Sequence, residues 1–330
     1  EILLEMRGIA VAFAGMGEKK SVRDVSLSIA PGETVSIVGE SGSGKSVSMR
    51  AVMGLLPDSA IVSGSARFMG QELIGAETQT LRRVRGSRIA MIFQDPLTAL
   101  NPLLTIGDQV VEAIRIHNPD VSLRQGRERA LKLLKDVAIP FPEKRLDQYP
   151  HEFSGGMRQR IVIAIAIANK PDLIIADEPT TALDVTVQAE ILDLLRQLCR
   201  QNGAGLVLIT HDLGVVAGMA ERVYVMYAGS IVEAAAVDDI FDRPAHPYTR
   251  GLLGSLPNMD KHSRRLSDIG GSPPTANALP PGCAFHPRCA FAEAICAKEA
   301  PSLQSYAASQ VACHLAGRLP SFGTEIETAC

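Results

Sequence analysis

Eight consecutive residues, Gly39-Glu40-Ser41-Gly42-Ser43-Gly44-Lys45-Ser46, carry the most specific chemistry in the sequence. They follow the pattern G-x-x-x-x-G-K-[ST]. Its glycines let the backbone wrap closely round an anion, so that successive N–H groups point at it. The N-terminus of a following helix adds a favourable partial positive charge. Lys45 is expected to reach the terminal phosphates of a nucleotide and the Ser46 hydroxyl to ligate Mg²⁺. A flexible Gly/Ser loop would account for the glycines but not for the Lys-Ser pair placed after them.

A second element is the apolar run Leu173-Ile174-Ile175-Ala176 ending in Asp177-Glu178. A buried strand ending in two acids delivers carboxylates to the carboxyl edge of a sheet, where α/β proteins bind ligands. Asp177 fits a Mg²⁺ ligand acting through water, because Mg²⁺ dehydrates reluctantly. Glu178 fits the base that orients an attacking water. Two acids capping the next helix is the structural alternative, and the phosphate loop upstream argues against it.

These residues need a framework, and the hydrophobic pattern supplies one. Val25–Ser28 and Val35–Val38 read as strands, the second ending at Gly39, and Arg88–Phe93 reads as another. Leu123–Val137 shows apolar residues Leu123, Ala130, Leu131 and Leu134 at helical spacing, with Pro140 and Pro142 closing the segment. Strand and helix then alternate through Leu173–Ala176, Val185–Gln201 and Leu206–Ile209. Tyr224–Met226 and Ser230–Val232 flank Ala228-Gly229 as a hairpin. Alternating β and α units imply a mostly parallel sheet covered by helices.

The composition of this 330-residue chain, 46% hydrophobic and 21% charged, is that of a globular protein. A formal net charge of -3 argues against general nucleic-acid binding, which shows as a basic surplus. No apolar run approaches the roughly 18 residues that cross a bilayer. The greasiest stretch, Ile161–Ala168, reads as core. The first residues, Glu1-Ile2-Leu3-Leu4-Glu5, lack the basic start and apolar centre of a secretion signal, so the expected location is cytosolic, with membrane association through a partner. Composition shifts near Pro257, beyond which lie Pro273-Pro274, Pro280-Pro281 and most of the cysteines. The expected division is 1–256 for a main domain and 257–330 for a small Cys-rich extension.

Phe153-Ser154-Gly155-Gly156-Met157-Arg158-Gln159-Arg160, just before the acidic strand, resembles the signature of the ATP-binding-cassette (ABC) family. Phe153 stands for the commoner Leu and Met157 for Gln; the Ser154-Gly155-Gly156 core, which caps the γ-phosphate across a dimer in that family, is intact. Other positions fall in the family's order. Gln94 resembles the Q-loop glutamine that touches Mg²⁺, Ala182-Leu183-Asp184 the D-loop, and His211 the switch histidine that contacts the γ-phosphate. Phe13 stands where the family places an aromatic against adenine, although a core Phe fits the residue equally well. The resemblance implies an ABC-type P-loop NTPase fold of the α/β class, with a mostly parallel core sheet, an antiparallel β subdomain and a helical subdomain at about 97–165. It also implies a head-to-tail dimer in which each phosphate loop faces a partner's signature. DNA-repair members of the family carry long coiled-coil insertions, and ribosomal members hold two cassettes; neither feature is found. Glu178 and His211 speak against a cassette that binds ATP without hydrolysing it.

Pro179–Gln188, Met226-Tyr227-Ala228-Gly229 and His246-Pro247-Tyr248-Thr249 narrow the resemblance to the ATPases of bacterial dipeptide and oligopeptide permeases, nearly end to end. That group implies a second ATPase subunit, two transmembrane permeases, an extracytoplasmic solute-binding protein, and a place on the cytoplasmic face of the bacterial inner membrane. Its members handle dipeptides, longer peptides, nickel and opine-like compounds, so the solute does not follow from this chain.

Four of the six cysteines cluster as Cys283, Cys289, Cys296 and Cys313, while Cys199 and Cys330 read as incidental. A reducing cytosol disfavours disulfides. Four thiols in a Pro-rich tail with little core suggest a metal holding the segment together. Gaps of five, six and sixteen residues are wider than the close pairs of most zinc sites. Four thiolates also suit an iron–sulfur cluster. Zinc, an iron–sulfur cluster and four free thiols are all open on the residues alone, and the resemblance implies [4Fe–4S].

Overall fold

The computed structural model describes residues 2–15, 19–181, 183–256 and 269–322. Ala182 of the D-loop, Cys330 and residues 257–268, where the domain boundary was expected, lie outside the described residues. The chain divides into two compact units that interleave along the sequence. One comprises Glu1–Leu3, Ala30–Glu33 and Gly75–Leu208; the other comprises Leu4–Ile29, Thr34–Ile74 and Ile209–Cys330.

From the N-terminus run β1 (Leu4–Phe13), β2 (Lys20–Ile29), β3 (Thr34–Val38), α1 (Lys45–Val52), β4 (Ala60–Phe68) and β5 (Gln71–Glu72). Next come α2 (Thr78–Val84), β6 (Ile89–Ile92), α3 (Pro96–Ala99), α4 (Ile106–Arg115), α5 (Leu123–Asp136), α6 (Pro142–Arg145), α7 (Gly155–Ile167), β7 (Leu173–Asp177), α8 (Val185–Asn202) and β8 (Gly205–Thr210). The last stretch holds α9 (Leu213–Met219), β9 (Arg222–Tyr227), β10 (Ser230–Ala236), α10 (Val237–Asp242), α11 (Pro247–Gly254), β11 (Gln304–Tyr306) and β12 (Ser309–Val311).

The unit built on residues 75–208 centres on β7, whose residues Leu173–Asp177 are all buried. A continuous apolar run is what a parallel strand covered on both faces requires. β6 pairs with it in parallel, with Ile92 opposite Ala176. Ser122 and Gln125 close a capping box at the start of α5. Ala130 and Leu134 of α5 are buried as their spacing predicts, but Leu123 is exposed, because it stands at the first helical position, just beyond the Ser122 cap. α4 (Ile106, Val110, Ile114) and α7 (Ile161, Val162, Ile163, Ile167) bury apolar side chains in the same unit. Each fully buried Ile or Val contributes about 1.5–3 kcal/mol through area removed from water.

The other unit holds an antiparallel sheet in the order β2-β1-β4-β5. Val25, Leu27 and Ile29 of β2 point inward and alternate with Ser26 and Ser28, the period expected of a half-buried strand. A second set of strands runs β11-β12-β10-β9-β3. β3 and β9 are parallel, and β9 and β10 form the expected hairpin. Ala228 and Gly229 both have positive φ, 46° and 87°, as a two-residue turn matched to strand twist requires. The C-terminal segment is stitched to this unit. β12 pairs with β10 through Glu233 and Val311, and Phe285 is buried among Tyr227, Tyr248 and Val225. Among the described residues no helix is long and apolar enough to cross a membrane.

Candidate functional site

The phosphate loop occupies the turn between β3 and α1. Val35–Val38 are buried, so the strand ends firmly at Gly39. Gly39 has φ 152°, and a Cβ there would lie 2.1 Å from the Met226 carbonyl oxygen. Gly44 has φ 99°, and its Cβ would meet the Met226 Cε and the Ser21 carbonyl oxygen at 2.9 and 3.1 Å. Both positions therefore exclude any side chain. α1 begins at Lys45 with no side-chain cap and no acid in its first turn, which leaves the amides of that end to an anion. Lys45 is buried, and its Nζ donates to the carbonyl oxygens of Gly39 (2.7 Å) and Glu40 (2.9 Å). Its ammonium is thus folded into the loop that would cradle the phosphates. The Ser43 hydroxyl is buried with no hydrogen-bond partner among the described residues. A cradle shaped by obligatory glycines, a buried cation and an orphaned donor fits a triphosphate.

Two residues far along the chain hold this loop: Tyr248, singled out in the sequence only for the family resemblance, and Arg288, which the sequence did not single out. The Glu40 N–H donates to the Tyr248 hydroxyl at 2.8 Å. Arg288 donates to both carboxylate oxygens of Glu40, at 2.7 and 3.0 Å. They lie 208 and 248 residues further along the chain, beyond the reach of local pattern. The His246-Pro247-Tyr248-Thr249 stretch is explained by this packing. His246 caps α11 by accepting from the Tyr248 N–H, and burial pushes its pKa down to about 3, so it stays neutral. Glu233 accepts from the Ala245 and His246 N–H groups, and its own pKa is raised by burial.

In the 75–208 unit the acids stand at the carboxyl end of β7. Asp177 is buried and Glu178 follows it with φ 48°. A left-handed non-glycine residue costs on the order of 1–3 kcal/mol and clusters at functional sites. Gln94 Nε2 donates to Glu178 Oε2 at 3.2 Å, and the Thr181 hydroxyl donates to the same oxygen at 3.0 Å. The register explains the first contact. Ile92 lies opposite Ala176 in the parallel pair, so the residues two further on each strand emerge side by side. Thr181 has a local signal only in retrospect, three residues after Glu178.

Ser154 caps α7 by accepting from the Met157 N–H. Gly156 packs on α8 so closely that a Cβ would lie 2.7 Å from the Val187 side chain. Gly155 would meet Leu183 at 3.4 Å. His211 is exposed just after β8, beside Asp212, which caps α9. Phe13 ends β1, partly buried, opposite Ala60.

The four clustered cysteines converge. Cys283, Cys289, Cys296 and Cys313 line one cavity with His246, Phe285 and His286. The Cys283 N–H donates to the Cys296 carbonyl at 2.8 Å, and the Leu315 N–H donates to the Cys313 sulfur at 3.4 Å. Burial raises the Cys289 thiol to about 11, with the neighbouring Cys313, Cys283 and Cys296 sulfurs adding to the rise. Burial likewise pushes Cys283 and Cys313 upward. Among the described residues no group of three or more His, Cys, Asp or Glu side chains is arranged to hold a metal ion, which does not support the expected metal centre. The four thiols share one cavity, and that shared lining is all the geometry that bears on the expected metal.

Residues 22–181 match the ABC transporter family, and residues 232–296 match the C-terminal region of oligopeptide/dipeptide transporters. The chain is 52% identical over 303 residues to the oligopeptide transport ATP-binding protein OppD of Mycobacterium tuberculosis. That match covers 91% of this chain and 50% of the relative, so the chain spans half the length of that protein. It is 49% identical over 304 residues to the dipeptide transport ATP-binding protein DppD of Bacillus subtilis, covering 91% of this chain and 90% of that one. Among solved structures it is similar to the bacterial ABC transporter cassette MJ0796 in its dimeric form, with a TM-score of 0.63 and 31% identity over 71% of this chain and 98% of that one.

Proposed function

Since the chain belongs to the ABC transporter ATP-binding proteins of the oligopeptide and dipeptide type, we propose that it is the ATP-hydrolysing motor subunit of a bacterial importer for di- or oligopeptides. The observation that carries the catalytic part is the carboxylate of Glu178, held by Gln94 and Thr181 at the end of a buried strand. The phosphate loop binds ATP through its N–H groups, Lys45 and the amide end of α1. Ser46, Gln94 and Asp177 are the residues that would hold Mg²⁺, whose charge would offset that of the phosphates. Glu178 accepts a proton from the water that attacks the γ-phosphorus, and the β–γ bridging oxygen leaves with ADP. His211 contacts the γ-phosphate, and Phe13 stacks on the adenine.

In the assembled motor, Ser154, Gly155 and Gly156 of one ATPase subunit close over the nucleotide bound to the other, head to tail. ATP supplies contacts that neither subunit has alone, and loss of the γ-phosphate link lets the interface reopen. The helical segment 97–165 passes that motion to two membrane permeases, which receive peptide from an extracytoplasmic binding protein. The main domain covers 1–256 and the extension 257–330, on the cytoplasmic face of the inner membrane. Recovery of the tagged chain from detergent-solubilised membranes tests the partnership. Two polytopic permeases and a second ATPase are expected with it, and recovery without any membrane protein contradicts the transport reading.

The extension holds a [4Fe–4S] cluster on Cys283, Cys289, Cys296 and Cys313, a reading supported by their shared cavity. The cluster would tie together the turns that carry the four cysteines. Protein purified without oxygen should contain about four irons and four acid-labile sulfides per chain, and Cys289→Ser should lose most of that iron. Zinc in place of iron, or neither metal in protein that still binds ATP, overturns the cluster and leaves the motor untouched.

A further inference from the structure

Arg288 sits in the C-terminal extension, yet every N–H of its guanidinium is committed. Nη1 and Nη2 form a two-pronged pair with the Glu40 carboxylate at 2.7 and 3.0 Å. Nη1 also donates to the Tyr227 hydroxyl at 3.3 Å, Nη2 to the Ile269 carbonyl at 3.0 Å, and Nε to the Gly270 carbonyl at 2.9 Å. The guanidinium lies over the rings of Tyr227 and Phe285, 5.8 and 6.0 Å from their centres. Only 6% of the Arg288 side chain is exposed, against 27% for Glu40. The Glu40 carboxylate raises the Arg288 pKa further above its ordinary value, so the cation is permanent.

The other end of Glu40 is equally engaged. Its N–H is held by Tyr248, and its carbonyl accepts from Lys45 at 2.9 Å. Glu40 is therefore a junction with three connections: the tail through its side chain, α11 through its N–H, and the phosphate-binding lysine through its carbonyl. It is also an anion in a loop built to receive a polyanion. Unpaired, a carboxylate in that place repels the incoming phosphates and swings freely; paired with Arg288, it does neither. Lysine, with a single point charge and three donors, cannot reproduce five directed bonds from a planar fork.

We propose that Arg288 is a positioning residue for nucleotide binding. It neutralises and fixes Glu40 so that the phosphate loop and Lys45 keep the geometry that ATP needs, and it makes the docked C-terminal extension part of the nucleotide site. This rests on the reading of residues 39–46 as an ATP site.

The test is a double-substitution cycle on the full chain, titrated with a slowly hydrolysed ATP analogue and Mg²⁺, with thermal unfolding followed in parallel. Arg288→Ala is expected to weaken analogue binding about tenfold, less than when a fully buried charge pair loses one member, because the Glu40 side chain is 27% exposed. Glu40→Gln removes the stranded charge, so Arg288→Ala in that background should cost far less than in the wild type. A tail that merely needs Arg288 for stability would lose affinity equally in both backgrounds, and that result overturns the proposal, as does unchanged affinity in Arg288→Ala. Should Arg288→Ala fail to fold, Arg288→Lys in the same cycle is expected to show a smaller loss that Glu40→Gln likewise relieves, and equal losses again overturn it. Lys45→Ala serves as the control. If that variant also binds like the wild type, the ATP site itself is misassigned; if it alone fails to bind, only the role of Arg288 falls.

Discussion

Glu178→Gln is expected to bind ATP and all but stop releasing phosphate, with turnover about 10²–10⁴-fold below the wild type. The substitution keeps the size of the side chain and leaves one oxygen to accept from Gln94 and Thr181, which donate at 3.2 and 3.0 Å in the wild type. What it removes is the ability to take a proton from the attacking water. The backbone at this position, with φ 48°, is indifferent to the change, because Glu and Gln have the same Cβ and the same conformational cost. Binding and chemistry should therefore separate cleanly: analogue affinity within a factor of about two, phosphate release close to background. Hydrolysis at the wild-type rate in Glu178→Gln would remove the base from Glu178.

Lys45→Ala is expected to act one step earlier and abolish binding. The lysine is buried with its ammonium on the Gly39 and Glu40 carbonyls, inside the loop where phosphates belong. Truncation removes the only side-chain cation in residues 39–46 and leaves two inward carbonyls facing an anion. The loss of charge-assisted bonds to phosphate corresponds to about a hundredfold or more in affinity. Alanine is the best helix former and sits at the first position of α1, so the fold should survive. A calorimetric titration beside a thermal melt separates the two effects. Unchanged affinity in a folded variant would refute the phosphate role.

How much of this was legible in the sequence depended on how local each feature is. The phosphate loop and the acids after β7 are contiguous, and their residue types carry their own chemistry. Strand β7 was legible because a covered parallel strand is a short unbroken apolar run, and β3 because Val35, Ile37 and Val38 lead straight into the glycine loop. Helix α5 was legible from its periodicity, although Leu123 proved to be exposed, since spacing marks a helix better than it marks which end of the stripe is covered. The antiparallel pairing of β1 with β4 joins segments far apart in sequence, and Gly8, Gly64 and the bulges in these strands blur the alternation. β11 and β12 are three residues each, too short to show a period, although Ser309 and Val311 of β12 are buried. The pair that holds the phosphate loop is the extreme case. Glu40 and Arg288 are 248 residues apart, and nothing about an Arg beside a cysteine announces a carboxylate partner. The strained backbone of Glu178 is likewise a product of tertiary structure, invisible until the strand and the following turn are in place.

The most direct test of the motor reading is peptide uptake by cells in which this chain carries Lys45→Ala in its natural setting. A mixed pool of labelled di- and oligopeptides is supplied, and their disappearance from the medium is followed by mass spectrometry. At least one peptide class should fall to background uptake in the variant while the chain itself remains in the membrane fraction. Uptake of every peptide at the wild-type rate would contradict the assignment of this chain as the ATP-driven motor of a peptide importer.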